Sequence, residues 1–126
     1  MKLTEIIALV EGKLLFETDP EMEIKCGSAS DLMSDVLAFT EAGSILFTGL
    51  TNPQSVRTAE MADIKAIVFV RGKEPPPETV ELAQEKGIPL IMTVLPMFEA
   101  CGRLYEVGLR SCDISCHLPW KKDRTP

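Results

Sequence analysis

Histidine, aromatic residues and positive charge are all scarce in this chain of 126 residues, and each scarcity argues against a class of function. The single histidine, His117, sits in "CDISCH" near the C-terminal end. A Ser-His-Asp relay would need that end folded over the rest of the chain. Thirteen Lys and Arg face nineteen Asp and Glu, for a net charge of −6, which argues against nucleic acid or an anionic membrane as partner. No G-x-x-x-x-G-K-[ST] phosphate loop occurs. No apolar run approaches the ~20 residues of a membrane span. No secretory leader pattern opens the chain, since Lys2 is soon followed by Glu5 and Glu11. A cytoplasmic protein is expected, with its thiols reduced. No C-x-x-C pair occurs among the four cysteines.

What is present reads as one globular domain. The 45% apolar and 25% charged fractions are ordinary for a soluble chain of this length, which buries a core without staples. Leu3, Ile6, Ile7 and Val10 fall on one helix face, and Gly12 is a natural stop. "KLLFE" and "MEIKC", separated by the turn "TDPE", suggest a hairpin-like opening. Ser28 to Asp31 offer caps for a helix running to about Phe39, and "EAGS" breaks it. A regular alternation follows: strand "SILFTGL", helix "PQSVRTAEMAD", strand "KAIVFV", helix "ETVELAQEKG", strand "IPLIMT" and helix "MFEACGRLYEVG". In the last helix Phe98, Cys101, Leu104 and Tyr105 share a face. Such alternation predicts right-handed crossovers over a parallel sheet covered on both faces. The expected fold is a three-layer α/β/α domain with a mainly parallel sheet and an N-terminal antiparallel strand addition. It spans residues 1–109, with an irregular tail at 110–126.

Open parallel sheets bind ligands beyond the carboxyl ends of their strands. Three segments of this chain belong there. Thr48, Thr51 and Asn52 lie in a loop leading into a helix, where they take an anion or merely cap the helix. Arg71, Gly72 and Lys73 set two cations around a glycine, either as a phosphate clamp or as a solvated loop stiffened by Pro75 to Pro77. Ser30, Asp31 and Asp35 open the helix at Ser28. The four-residue spacing puts both carboxylates on one helix face, where they stabilise the helix start, contact a ligand or share a magnesium ion. Cys26 and Cys101 sit in apolar surroundings and read as small hydrophobes. Cys112, Cys116 and His117, with Cys101 as a fourth ligand, have the residue types of a metal site, but C-x₃-C-H is not a standard zinc or haem spacing.

"GSASDLMSDVLA", "FTGLTNPQSVRTAEM", "AIVFVRGKEPPPETVELAQEKGIPLIMT" and "LPMFEACGRLYEVGL" together resemble the DRTGG domain, over about Leu3 to Leu109. The name-giving residues differ. Val70-Arg71-Gly72 stands where the family commonly shows Thr-Gly-Gly, and Thr51-Asn52 where an Asp-Arg pair can follow the preceding strand. That family is similar to the non-catalytic N-terminal domain of HPr kinase/phosphorylase. It occurs beside CBS domains in regulated pyrophosphatases and in some phosphotransacetylases. The resemblance implies an α/β regulatory module that self-associates as a homodimer.

The expectation is therefore a non-enzymatic regulatory or interaction domain without a cofactor, sensing a phosphorylated small molecule or nucleotide, or docking a protein partner. Two alternatives stand beside it. One is a magnesium-dependent phosphoryl-transfer or hydrolytic enzyme using Asp31 and Asp35. The other is a metal or redox module built on the C-terminal cysteines.

Overall fold

The computed structural model describes residues 1–113. The expectations for Cys116 and His117 lie outside the described residues. Among the described residues five helices, α1 (Leu3–Leu9), α2 (Met33–Phe39), α3 (Pro53–Met61), α4 (Pro77–Lys86) and α5 (Met97–Glu106), surround one sheet. Its strands are β1 (Lys13–Leu14), β2 (Cys26–Ala29), β3 (Ser44–Thr48), β4 (Ala66–Phe69) and β5 (Leu90–Met92), in spatial order β1-β5-β4-β3-β2. The β2–β3, β3–β4 and β4–β5 pairs are parallel, and β1 is antiparallel to β5. The three-layer α/β fold and its antiparallel addition are as expected.

Alternation along the apolar strands divides the core in two. Ile45, Phe47, Val68 and Ile91 face α1 and α5, beneath Leu3, Ile6, Ala100 and Leu104. Leu46, Ile67, Phe69 and Leu90 face the other way, against Met33 and Val36 of α2, Val56 and Ala59 of α3, and Ala83 of α4. With β3 and β4 buried on both faces, nothing in them alternates with polar residues. Pro53 starts α3, and Gly87, in the left-handed region at φ 68°, ends α4, both at the expected places.

Three local expectations are corrected. The opening is not a hairpin. β1 lies at one edge of the sheet and β2 at the other. "MEI" instead pairs with the chain start: Leu3 N–H donates to the Met22 carbonyl and Ile24 N–H to that of Met1. This buries Ile24 beside α1. The helix opened by the serines starts later, at Met33, because residues 26–29 are spent on β2. In α5 the buried positions are Ala100 and Leu104, while Phe98 and Tyr105 point outward at 92% and 56% exposure.

β2 has a further neighbour. Gly27 N–H donates to the Arg110 carbonyl at 2.9 Å and Cys112 N–H to the Gly27 carbonyl at 3.1 Å, a parallel bridge centred on Gly27 and Ser111.

Candidate functional site

The parallel strands end side by side, and the loops leaving β2, β3 and β4 converge there. After β4, Arg71 and Gly72 both take positive φ, 60° and 68°. Lys73 N–H closes the turn onto the Val70 carbonyl at 3.2 Å. Two positive φ values at the central positions mark a type I′ turn, which costs a non-glycine residue of order 1 kcal/mol. The strain is held by Arg71 N–H donating to Leu95 O at 2.9 Å and Gly72 N–H to Thr93 O at 2.8 Å. Thr93, itself buried, fixes that segment through its hydroxyl, which donates to Val10 O at 2.7 Å and accepts from Leu95 N–H at 3.1 Å.

This turn carries Arg71 and Lys73 over the loop after β3. A Cβ built on Gly49 would lie 2.6 Å from Arg71 Nη2, 3.5 Å from Lys73 Nζ and 3.5 Å from Asp31 Oδ1. Glycine is needed at that position for close approach. Asp31 comes from the loop after β2. Its Oδ1 accepts the Gly49 N–H at 2.6 Å and the Thr48 hydroxyl at 3.1 Å. Arg71 Nη2 stands 3.7 Å from Asp31 Oδ2, with both side chains about half exposed. A pair that long and that wet is worth about 0–1 kcal/mol, so Arg71 is not committed to it. The Gly49 N–H chiefly, then the Thr48 hydroxyl and the two cations, hold the Asp31 carboxyl below its usual range.

The remaining expected residues fall less tightly. Ser30 Oγ accepts from Leu32 N–H at 3.0 Å in a local turn, and neither it nor Asp31 caps α2. Asp35 lies exposed inside α2 and makes no bond to the Asp31 cluster, so the two carboxylates do not share a helix face. Asn52 occupies the N-cap position of α3 without a side-chain cap bond, while the Thr51 carbonyl accepts the Thr79 hydroxyl at 2.8 Å. The Thr48 hydroxyl is spent on Asp31 and on Leu50 N–H. The structure thus joins Asp31, Thr48, Arg71 and Lys73 around Gly49. Gly49, absent from the expected set, was flagged in the sequence only by a glycine directly after a buried strand.

Chemically, two exposed cations beside one carboxylate, at the carboxyl ends of parallel strands, suit a small anion. Arg71 can address two phosphate oxygens at once, and Lys73 acts as a point charge. The same arrangement suits a divalent cation poorly, because Asp31 already faces two positive groups. The metal-ligand atoms that do gather among the described residues are elsewhere, on Cys26, Glu41 and Cys112. A cavity of about 510 Å³ also opens away from the cluster, between β2 and α5, with Phe39, Phe47, Leu104, Tyr105 and Leu109 in its wall. Ala29 at the end of β2 lines it too, two residues before Asp31.

No family model matches the sequence, and no curated protein matches it. A solved structure does match: that of the CBS and DRTGG domains of the regulatory region of Clostridium perfringens pyrophosphatase, complexed with its activator diadenosine tetraphosphate. The TM-score is 0.64 over 82% of this chain, at 16% identity. The fold is DRTGG/CBS-like. This chain spans 45% of the length of that one, and at such identity the likeness is one of fold. No helix among the described residues is long and apolar enough to cross a membrane.

The Asp31 carboxylate makes a testable contribution to stability. A carboxyl held below its unfolded value stabilises the fold above that value, near pH 3.9, and stops doing so as pH falls through the folded one. Asp31→Asn keeps an acceptor oxygen and removes the charge. Its expected cost at pH 7 is about 1 kcal/mol, the usual value for a charged acceptor reduced for exposure. Urea titrations of both proteins should show that difference constant from about pH 7 to 5 and shrinking as the pH falls below the ordinary carboxylate range. A difference independent of pH would mean that the charge is irrelevant.

Proposed function

We propose that this chain is a non-enzymatic regulatory domain that senses a phosphorylated small molecule or nucleotide through Arg71 and Lys73, held over Gly49, and that it acts as a homodimer. The observation that carries the reading is the convergence of both cations on Gly49, at the strand ends where open parallel sheets hold their ligands. An arriving phosphate takes Arg71 from Asp31, which remains anchored by Gly49 and Thr48, and meets Lys73 beside it. The fold likeness to a nucleotide-activated regulatory region supports the same reading. Self-association is supported by apolar side chains left in water, Phe98 at 92% and Val94 at 76% exposure.

The test is a thermal-shift panel of nucleotides, dinucleoside polyphosphates and sugar phosphates on the full chain, with light scattering on the same samples. At a hundredfold excess over Kd a ligand should add about 2.7 kcal/mol, roughly 10 °C in Tm. Lys73→Glu should abolish the shift without lowering the unliganded Tm by more than ~2 °C, as befits an exposed loop residue. No shift across the panel would remove the sensing role. A monomer at tens of micromolar would remove the dimer.

A further inference from the structure

We propose that Cys26 and Cys112 are a redox pair that closes into a disulfide and fastens the segment after α5 to the edge of the sheet. Their sulfurs stand 2.7 Å apart although both thiols are free. Two thiolates on one tetrahedral zinc are separated by about 3.8 Å, given Zn–S bonds of ~2.3 Å. The observed contact is closer to the ~2.05 Å of a sulfur–sulfur bond. The backbone already holds the pair in place. Cys26 precedes and Cys112 follows the Gly27–Ser111 bridge, with its two hydrogen bonds. Glu41 clamps the next residue, its Oε1 accepting Asp113 N–H at 2.6 Å while its Oε2 takes Lys25 Nζ at 2.8 Å.

The oxidant is a small-molecule disulfide, and the cavity beside β2 gives it a route. Cys112 lines that cavity, whereas Cys26 does not. Cys112 therefore meets the oxidant first, while burial first, and the neighbouring Cys112 thiol second, push the Cys26 thiol up. The Cys112 sulfur, giving up its proton, attacks one sulfur of the oxidant. The oxidant's S–S bond breaks, and its other half leaves and is protonated to a thiol. Cys26 then loses its proton as its sulfur attacks that of Cys112 in the mixed disulfide. The second half leaves as a second thiol. Two protein thiols have lost two electrons, and the small disulfide has gained them as two thiols. The new bond joins positions 86 apart in the chain, and a loop that long gives a large restriction of the unfolded state.

The experiment uses the full chain, reduced and then equilibrated with oxidised glutathione, alkylated, digested and mapped by mass spectrometry. The expected product is lighter by two hydrogens, yields a linked Cys26–Cys112 peptide pair, and melts higher by on the order of 10 °C. Dithiothreitol should reverse all three. Cys101→Ser and Cys116→Ser should each keep the link and the Tm response, and Cys112→Ser should lose both. Three results would overturn the proposal: Cys112 joined to Cys116 instead, Cys26 and Cys112 both still alkylated after oxidation, or a stoichiometric bound zinc whose removal alone frees the two thiols.

Discussion

Gly49→Ala is expected to fold normally and to lose its response to phosphate ligands. The new methyl would sit 2.6 Å from Arg71 Nη2, a distance that real contacts do not tolerate. The atom that must yield is the tip of a long, half-exposed side chain, so the stability cost stays below ~1 kcal/mol. The guanidinium must nevertheless leave the place where it and Lys73 meet over the Gly49 backbone. Affinity for any phosphate that stabilises the parent protein should fall at least about tenfold, the equivalent of ~1.4 kcal/mol. Calorimetric titration beside a urea melt separates the two effects. An alanine variant that binds as the parent does would show that the anion sits elsewhere. The cavity beside β2 would then be the first place to look.

The second large effect concerns Phe47, 2% exposed, the last residue but one of β3. Its side chain packs into the layer under α1 and α5 and forms part of the cavity wall. Its carbonyl accepts Ser30 N–H at 3.1 Å, which starts the turn leading to Asp31. Phe47→Ala should cost about 3–5 kcal/mol, the usual price of truncating a buried phenylalanine. That is a large share of the ~5–15 kcal/mol by which domains are stable. Denaturant unfolding with an unchanged m-value would report it. A loss under ~1 kcal/mol would mean that the site collapses freely and that the wall is not rigid.

The central βαβα repeat was legible because its signals are local and redundant. "IVFV" is too short and too apolar for anything but a buried strand, and Pro53 and Gly87 mark helix ends by backbone chemistry alone. The N-terminal pairing was not legible. Both "KLLFE" and "MEIKC" look like strands, but periodicity does not name a strand's partner. The contacts of Met22 and Ile24 with the chain start are tertiary. β2 was hidden by its composition. "CGSA" is small and partly polar, so the serines read as helix caps instead. That displaced Asp31 onto a helix and tied it to Asp35, whereas it belongs with Gly49. The loops at Thr48 and Arg71 were found from their position after apolar strands. Cys26 reads as a small hydrophobe and is buried, but its partner lies 86 positions away and no spacing rule points to it.

The two rims of the sheet are finished differently. Antiparallel β1 closes one with two residues, and the segment after α5 shields the other through the pair of bonds at Gly27. If that segment peels away, β2 presents unpaired amides and carbonyls to any extended chain nearby. The oxidation state of a single sulfur pair would then govern whether this molecule stays solitary at that border or recruits a foreign strand to it.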